Sequence, residues 1–377
     1  GDSLLVDESV REEDVRDRGA CRADRLLAHG GGPPGGRCAR RGSRGETAAV
    51  TTGAISEGGA RRSSLDSVTP PVSTRRAVPS KLSAMEVDAR IVRLRLAETF
   101  TIARESRDEE DVVQVELSHG GARGRGEGAP IGRYGESADS ALAFVSEHGR
   151  LVGDDPFALE EIAARLAQVP GEQAAKSALD AALHDLQGKL LGIPVWRLLG
   201  LPRLGPPTSW TVWLGDPDDM ARRAASAAAR FTRLKLKLGG GDGLDVERVR
   251  AVRAHTALPL QVDVNEWWSL DEALDAIPEL AALGVEYVEQ PLPAGDPGGP
   301  ELKRRSPLPV FVDEDCHTLS DVATCAEVAH GINIKLAKSG GIREAIRMAH
   351  AARALGLGVM LGCMVESGLG IAAGCVV

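Results

Sequence analysis

Five charged residues recur at intervals of about 25 residues along the second half of this chain: Lys237, Asp263, Glu289, Asp313 and Lys338. Each closes or follows a short apolar run, as in LPLQVDV and GVEYVEQP. An interval of this length accommodates one strand, one helix and two short loops. Three carboxylates flanked by two lysines can hold a divalent cation with a base on either side of it.

The three carboxylates, Asp263, Glu289 and Asp313, are the candidate metal ligands. Taken singly, each could cap the following helix or pair with a surface lysine. In register at the ends of successive strands, they would converge and offer hard oxygen ligands with room for water and substrate. Such a set suits Mg²⁺ better than zinc, and we expect one ion per subunit.

The lysines are the candidate acid/base groups. Lys235 and Lys237 in KLKLG point to the same side, because side chains alternate along a strand. Crowded cationic groups disfavour the ammonium form and lower the pKa of a lysine. We expect Lys237, nearer the strand end, to be the base, with Lys235 tuning its pKa and Lys338 acting from across the ring. The role of Lys335 stays open, and this residue could be structural.

These groups predict proton transfer at a carbon next to a carboxylate. A cation bound to that carboxylate stabilises the enolate that forms when the α-proton leaves. One lysine would remove the proton and the other would return it to the opposite face, giving racemisation or epimerisation. If one lysine acted only electrostatically, the same site could support elimination or cycloisomerisation.

The elements that must position these groups follow a regular strand–helix alternation from about residue 201 onward. The predicted strands are 209–214, 232–238, 259–265, 285–290, 309–313, 331–336 and 357–362. This rhythm predicts a parallel sheet, either a barrel or an open doubly wound sheet. We favour the barrel, because polar groups end five successive strands, whereas an open sheet concentrates its site at one switch point.

The chain divides into three predicted segments. Residues 85–200 read as an α+β capping domain, with a strand pair, the Gly-rich loop GARGRGEGAPIGRYGE and small helical residues such as Ala178 and Ala182 that allow close packing. Residues 1–84, which precede and adjoin the first methionine, are rich in Gly, Pro and Arg and predict a disordered or spuriously translated leader, or a regulatory tail. Residues 201–377 form the barrel, expected as a (β/α)7β fold truncated before its last strand.

Composition narrows the class of protein. The net charge of -9 argues against a nucleic-acid partner. The sequence has no apolar run of membrane-spanning length and no signal peptide. Its six cysteines lack CxxC spacing, so neither a zinc site nor a disulfide framework is expected. We expect a cytoplasmic enzyme that could form a homo-oligomer.

With these residues in place, 85–377 resembles the enolase superfamily, in its muconate-lactonising-enzyme subgroup. The motifs KLKLG, VDVNEWW, VEYVEQPL, VFVDED and NIKLAKSGG occur in that order, and AKSALDAALHDLQGKLLGIPVWRLLG resembles the capping-domain helices. TFTIARESR, GRGEGAPIGRYGES and GCMVESGLG are most similar to dipeptide epimerases. The resemblance implies that Arg104, Tyr134, Met364 and Glu366 contact a dipeptide such as L-Ala-D/L-Glu, in the turnover of cell-wall peptides.

Three alternatives stay open at this point. Arg104 could be a surface charge, Tyr134 a packing residue between domains, and Met364 a core residue. Other activities of the subgroup, namely o-succinylbenzoate synthase, N-succinylamino acid racemase and muconate cycloisomerase, would use the same ring. The family's Asp-x-Asp pair on the eighth strand, which grips the dipeptide ammonium, would lie beyond Val377, so an inactive fragment is the alternative outside enzymes.

Overall fold

The computed structural model describes residues 84–377, so the predicted leader lies outside the described residues except for its last position. The first part contains β1 Glu86–Ile102, β2 Glu105–His119, β3 Ala122–Gly128, α1 Ala138–His148, α2 Leu159–Ala167, α3 Gln173–Leu191 and α4 Val195–Leu198. The three strands form an antiparallel sheet in the order β1-β2-β3. The cap is therefore α+β, as predicted.

One cap prediction was wrong. The first half of the predicted Gly-rich loop is strand β3, which pairs with β2 along its whole length. Its glycines recur at every second position and leave one face of the strand without side chains, and α3 packs there. A Cβ on Gly124, Gly126 or Gly128 would lie only 2.0–2.1 Å from a backbone carbonyl oxygen of α3, those of Ala182, Ala178 and Ala174 respectively.

The second part alternates strands and helices. Its elements are β4 Trp210–Val212, α5 Pro217–Ala227, β5 Leu234–Lys237, α6 Asp245–His255, β6 Leu260–Asp263, α7 Leu270–Ala282, β7 Val285–Glu289, α8 Gly299–Arg305, β8 Val310–Val312, α9 Val322–Val328, β9 Gly331–Lys335, α10 Leu336–Ser339, α11 Ile342–Ala354, β10 Gly358–Gly362 and α12 Gly368–Gly374. The seven strands are all parallel and neighbour one another in chain order from β4 to β10. The predicted barrel-type sheet is confirmed, and within 84–377 no strand joins β10 to β4.

Strands β5 and β6 are buried on both faces, and the alternation of their residues decides what each face contacts. In β5, Leu234 and Leu236 belong to the apolar core shared with the surrounding helices, which also contains Val249 of α6 and Ile277 of α7. The alternate residues of β5 and β6, which are polar, face the other way. Apolar burial thus fixes the register, and the register aims the polar residues into the barrel.

The cap packs on the mouth of the barrel. A small core cluster joins Val112 and Ala174 of the cap to Ala337 and Met364 of the barrel part. The Asp180 carboxylate of α3 accepts a hydrogen bond from the backbone N–H of Arg343, at 3.3 Å. No helix among residues 84–377 is both long and apolar enough to cross a membrane.

Substitution of Gly126 by alanine tests the contact between β3 and α3. The new methyl group would lie 2.0 Å from the Ala178 oxygen, so the helix and strand must separate. Overpacking of this kind costs about 2 kcal/mol of unfolding free energy. Urea denaturation measures it, with Gly205→Ala as control, since no atom lies within 4 Å of a Cβ there. Equal stability of the two variants would contradict the close packing.

Candidate active site

The three predicted ligands lie at the carboxyl ends of neighbouring strands. Asp263 ends β6 and Glu289 ends β7, and the two residues are register partners across the sheet. Asp313 follows directly after β8. All three are at most 1% exposed. Carboxylates removed this far from water need cationic or hydrogen-bonding partners, and lysines supply them.

The two lysines of β5 point to the same side, as predicted. The Nζ atoms of Lys235 and Lys237 both lie 2.9 Å from Oδ2 of Asp263. Lys235 also lies 2.7 Å from Oε2 of Glu289, and Lys237 donates to Oδ1 of Asn265 at 3.2 Å. Lys235 therefore bridges the first two carboxylates, while Lys237 reaches toward Asn265, which lines the cleft beneath the cap.

Lys338, the expected second base, lies in the one-turn helix α10 rather than on a strand. Its buried ammonium donates to the Asp313 carboxylate, to the backbone oxygen of Asp313 at 2.6 Å and to that of Asn333 at 3.1 Å. Three acceptors account for its three N–H groups. Lys335 ends β9 itself, lies 2.9 Å from Oδ2 of Asp313 and lines the cleft. The geometry therefore favours Lys335 as the group that faces a substrate.

The lysines keep the first and third carboxylates ionised. Burial favours the neutral form of Asp263, but the charges of Lys235 and Lys237 outweigh burial and hold its pKa far below the usual range. Asp313 is also buried, and Lys335 with Lys338 lowers its pKa in the same way. The next residue, Glu314, differs: burial and the nearby Asp313 charge raise its pKa to about 7.

Three amide side chains that we did not predict support the carboxylates. Asn333 donates to Oε1 of Glu289 at 2.7 Å. The Oε1 atom of Gln290 accepts the backbone N–H groups of Asp313 and Glu314, at 2.8 and 3.0 Å. Asn265, besides contacting Lys237, follows Asp263 by two residues. The sequence could have indicated these three amides by their positions next to the charged residues, in VDVN, EQP and NIK.

The four residues expected to contact the substrate lie in different surroundings. Arg104, Tyr134 and Met364 line the cleft, together with Lys335 and Glu314. Tyr134 also packs edge-on against His317, with ring centroids 4.4 Å apart. Glu366 is not among the lining residues: its Oε1 accepts the backbone N–H of Met364, at 2.9 Å. Glu366 thus shapes the loop that carries Met364.

The donor set fits a hard divalent cation in type, since three buried carboxylates supply oxygen atoms only. Within the described range, however, no group of three or more His, Cys, Asp or Glu side chains is arranged to hold an ion as it stands. Lys235 lies against Oδ2 of Asp263 and Oε2 of Glu289, and Lys335 lies against Oδ2 of Asp313.

Comparison with known proteins matches this arrangement to a family. Residues 84–200 match the family described as mandelate racemase / muconate lactonizing enzyme, N-terminal domain, and residues 219–377 match the enolase C-terminal domain-like family. The chain is 39% identical over 284 residues to the L-Ala-D/L-Glu epimerase of Bacteroides thetaiotaomicron, a match that covers 74% of each chain.

Two solved structures extend the match. The dipeptide epimerase of Enterococcus faecalis, complexed with Mg and L-Leu-L-Tyr, superimposes with a TM-score of 0.75 at 32% identity, covering 77% of this chain and 85% of that one. The muconate lactonizing enzyme of Pseudomonas fluorescens, complexed with muconolactone, superimposes with a TM-score of 0.75 at 31% identity, covering 78% of this chain and 84% of that one. The chain belongs to the enolase superfamily, in its mandelate racemase and muconate lactonizing enzyme group. It is an isomerase, as its motifs predicted.

Replacing Lys338 by methionine tests whether that ammonium is structural. The change leaves the two backbone oxygens and one Asp313 oxygen without their donor, so we expect a loss of about 3 kcal/mol in unfolding free energy. Lys189→Met is the control, because its contacts with Asp185 and with the backbone oxygen of Arg123 are exposed and their loss costs about 1 kcal/mol or less. A Lys338→Met protein as stable as the control, but unable to catalyse epimerisation, would assign Lys338 to catalysis instead.

Proposed function

We propose that this protein is a Mg²⁺-dependent epimerase of dipeptides that works by 1,1-proton transfer. One observation carries the proposal. The strand order places Lys237 of β5 on one side, and Lys335 of β9 on the other, of three buried carboxylates at the ends of β6, β7 and β8. Inversion at a carbon requires a proton donor and an acceptor on opposite faces, and two strand-borne lysines separated by the carboxylates meet that requirement.

Lys237 would remove the α-proton and Lys335 would return one to the opposite face, or the reverse for the other stereoisomer. A base must be neutral before it accepts a proton. When Lys237 is neutral, Asp263 keeps Lys235 as a cationic partner at 2.9 Å, so its negative charge is not left unpaired. Lys338, which the sequence predicted as the second base, already has three acceptors, and we therefore assign the role to Lys335.

Asp263, Glu289 and Asp313 would hold the Mg²⁺ ion. When bound, it would stabilise negative charge on the substrate carboxylate, which lowers the barrier to loss of the α-proton. Asn333 and Gln290 orient Glu289 and the backbone at Asp313, so this chain contributes preformed positions for two ligands.

The dipeptide assignment rests on the relatives named above and on the cap residues that line the cleft. The match to the muconate lactonizing enzyme complexed with muconolactone supports cycloisomerisation as a second candidate. Incubation with Mg²⁺ and a dipeptide library in D₂O separates the two, because only the epimerase adds deuterium at the α-carbon of the C-terminal residue. A cytoplasmic location, a role in cell-wall peptide turnover and a homo-oligomeric state stay predictions.

Single alanine substitutions at Lys237 and Lys335 test the two-base scheme. Each should lower epimerisation by about 10³-fold or more, because a general base contributes up to about 10⁴-fold. Each variant should still exchange the α-proton of one stereoisomer, and the two variants should differ in which one. NMR of the substrate in D₂O measures both quantities. Epimerisation retained by either variant would rule out the pair.

Metal addition gives a test that does not depend on turnover. A ligand that binds only the folded chain raises its stability, by about 2.7 kcal/mol at 100 times the dissociation constant. Thermal unfolding in MgCl₂ and in EDTA should therefore differ for the wild type and much less for Glu289→Gln. The surface variant Glu301→Gln, whose partner is Arg305, serves as control. An unchanged shift in Glu289→Gln would remove Glu289 from the site.

A further inference from the structure

Two carboxylates join the cap to the barrel beside the cleft. Glu266, in the loop after β6, accepts hydrogen bonds from Arg104 and Arg133 of the cap. Glu127, on β3 of the cap, instead holds a loop of the barrel. Its Oε1 atom accepts the backbone N–H of Ser367 at 2.7 Å, and its Oε2 atom accepts the Ser367 hydroxyl. Each part of the molecule thus holds a segment of the other.

The surroundings of Glu127 make this attachment strong. The residue is only 4% exposed. A third donor, Nε2 of Gln114 on β2, lies 3.0 Å from its Oε2 atom. The donors are neutral, and an ionised acceptor forms stronger hydrogen bonds with such groups than a neutral acceptor does. A Cβ on Gly370 of α12 would lie 2.9 Å from Oε1 of Glu127, so this glycine lets the helix approach the carboxylate.

The loop that Glu127 holds lies between β10 and α12 and carries Met364 and Val365, which both line the cleft. Ser367 is the N-cap residue of α12, and its hydroxyl accepts a backbone N–H of that helix. Within the loop, Oε1 of Glu366 accepts the backbone N–H of Met364 at 2.9 Å. The short chain from Met364 to Ser367 is therefore tied together, and a displacement of Ser367 would move Met364.

Met364 in turn contacts one of the two candidate bases. Its Sδ atom lies 3.8 Å from Nζ of Lys335, within range of a weak hydrogen bond to sulfur. The loop follows β10, which pairs with β9, and Gly362 of β10 is the register partner of Lys335. Lys237 ends β5, which pairs with β4 and β6 and not with β10. The loop thus adjoins the strand of one base and not that of the other.

We infer that Glu127 is a positioning residue for Lys335: it holds the loop at Ser367 and thereby sets Met364 against the Lys335 ammonium. The inference rests on the proposed two-base epimerase function. Glu127 is not among the residues that line the cleft, so it takes no part in proton transfer itself. A misplacement of about 1 Å can cost about 10²-fold in rate. Loosening the loop should therefore slow proton transfer at Lys335 and spare proton transfer at Lys237.

Glu127→Gln tests this, because it keeps the size of the side chain but removes the charge and one acceptor. Initial deuterium uptake in D₂O is measured separately from the L,L and L,D forms of the dipeptide that exchanges fastest in the library. The form that Lys335 serves is the one whose exchange is lost in Lys335→Ala. Its uptake should fall about tenfold in Glu127→Gln, and that of the other form by less than about threefold. Epimerisation should slow in both directions, because each direction uses both lysines.

Glu116→Gln is the matched control. It makes the same chemical change on β2 of the cap sheet, where Glu116 accepts hydrogen bonds from Arg123 and Arg125 at the surface. It should leave the ratio of the two uptake rates unchanged. This ratio does not depend on how much of a variant is folded, since both rates come from one preparation. An equal fall for both forms in Glu127→Gln, or no change in either, would overturn the inference.

Met364→Leu tests the route through the loop. It keeps a similar volume, removes the sulfur contact with Lys335 and should change the uptake ratio in the same direction. Adding Glu127→Gln to Met364→Leu should then change the ratio little further, because both substitutions interrupt one contact and such coupled changes are not additive. Fully independent effects of the two substitutions would show that Glu127 does not act through Met364.

A protein that takes up no deuterium from any dipeptide would contradict the proposed function itself. NMR of the protein with carbon-13 in its methionine methyl groups then decides the positioning separately. The chain has five methionines, and the Met364 signal is the one that Met364→Leu removes. This signal should shift in Glu127→Gln and stay in place in Glu116→Gln. A Met364 signal that does not move in Glu127→Gln would overturn the inference.

Discussion

The mutual neutralisation of lysines and carboxylates inside the barrel is the constraint on which the rest of the structure depends. Lys235 spans two carboxylates and Asp313 receives two lysines, all of them almost fully buried. Removing one partner would leave an uncompensated charge in a low-dielectric interior, at a cost of about 3–5 kcal/mol. The strands must therefore hold one register, since a slip of one residue would turn these groups into the apolar layer beneath the helices.

The same buried charges require the cap to cover the barrel mouth. A barrel mouth lined with charges needs a cover that excludes water, and α3 with β3 provides a rigid base for one. Gly126 lets the strand lie directly against the backbone of α3 at Ala178, without side chains between them. The cap segments that carry Arg104 and Arg133 follow β1 and β3 respectively, and both line the cleft.

Sequence reasoning located Asp263 and Glu289 correctly at strand ends, because an apolar run that stops at a charge marks the end of a buried strand. It chose Lys338 as the second base and left the role of Lys335 open, because the pattern does not show that a single helical turn after β9 carries Lys338, which is buried like Lys335. It predicted a loop at the glycines of β3, because their role is close packing against α3, which is distant in sequence. Sequence reasoning also missed Glu266, because the direction of its side chain depends on the left-handed backbone of Asn265 and of Glu266 itself.

The barrel lysines and carboxylates depend on one another through shared ion pairs, so a change at one of them alters the partners of the others. The Glu266 carboxylate lies outside this set, because its hydrogen bonds come from Arg104, from Arg133 and from the backbone N–H of Ala294. It therefore joins the barrel mouth to both cap segments without sharing a partner with the buried lysines.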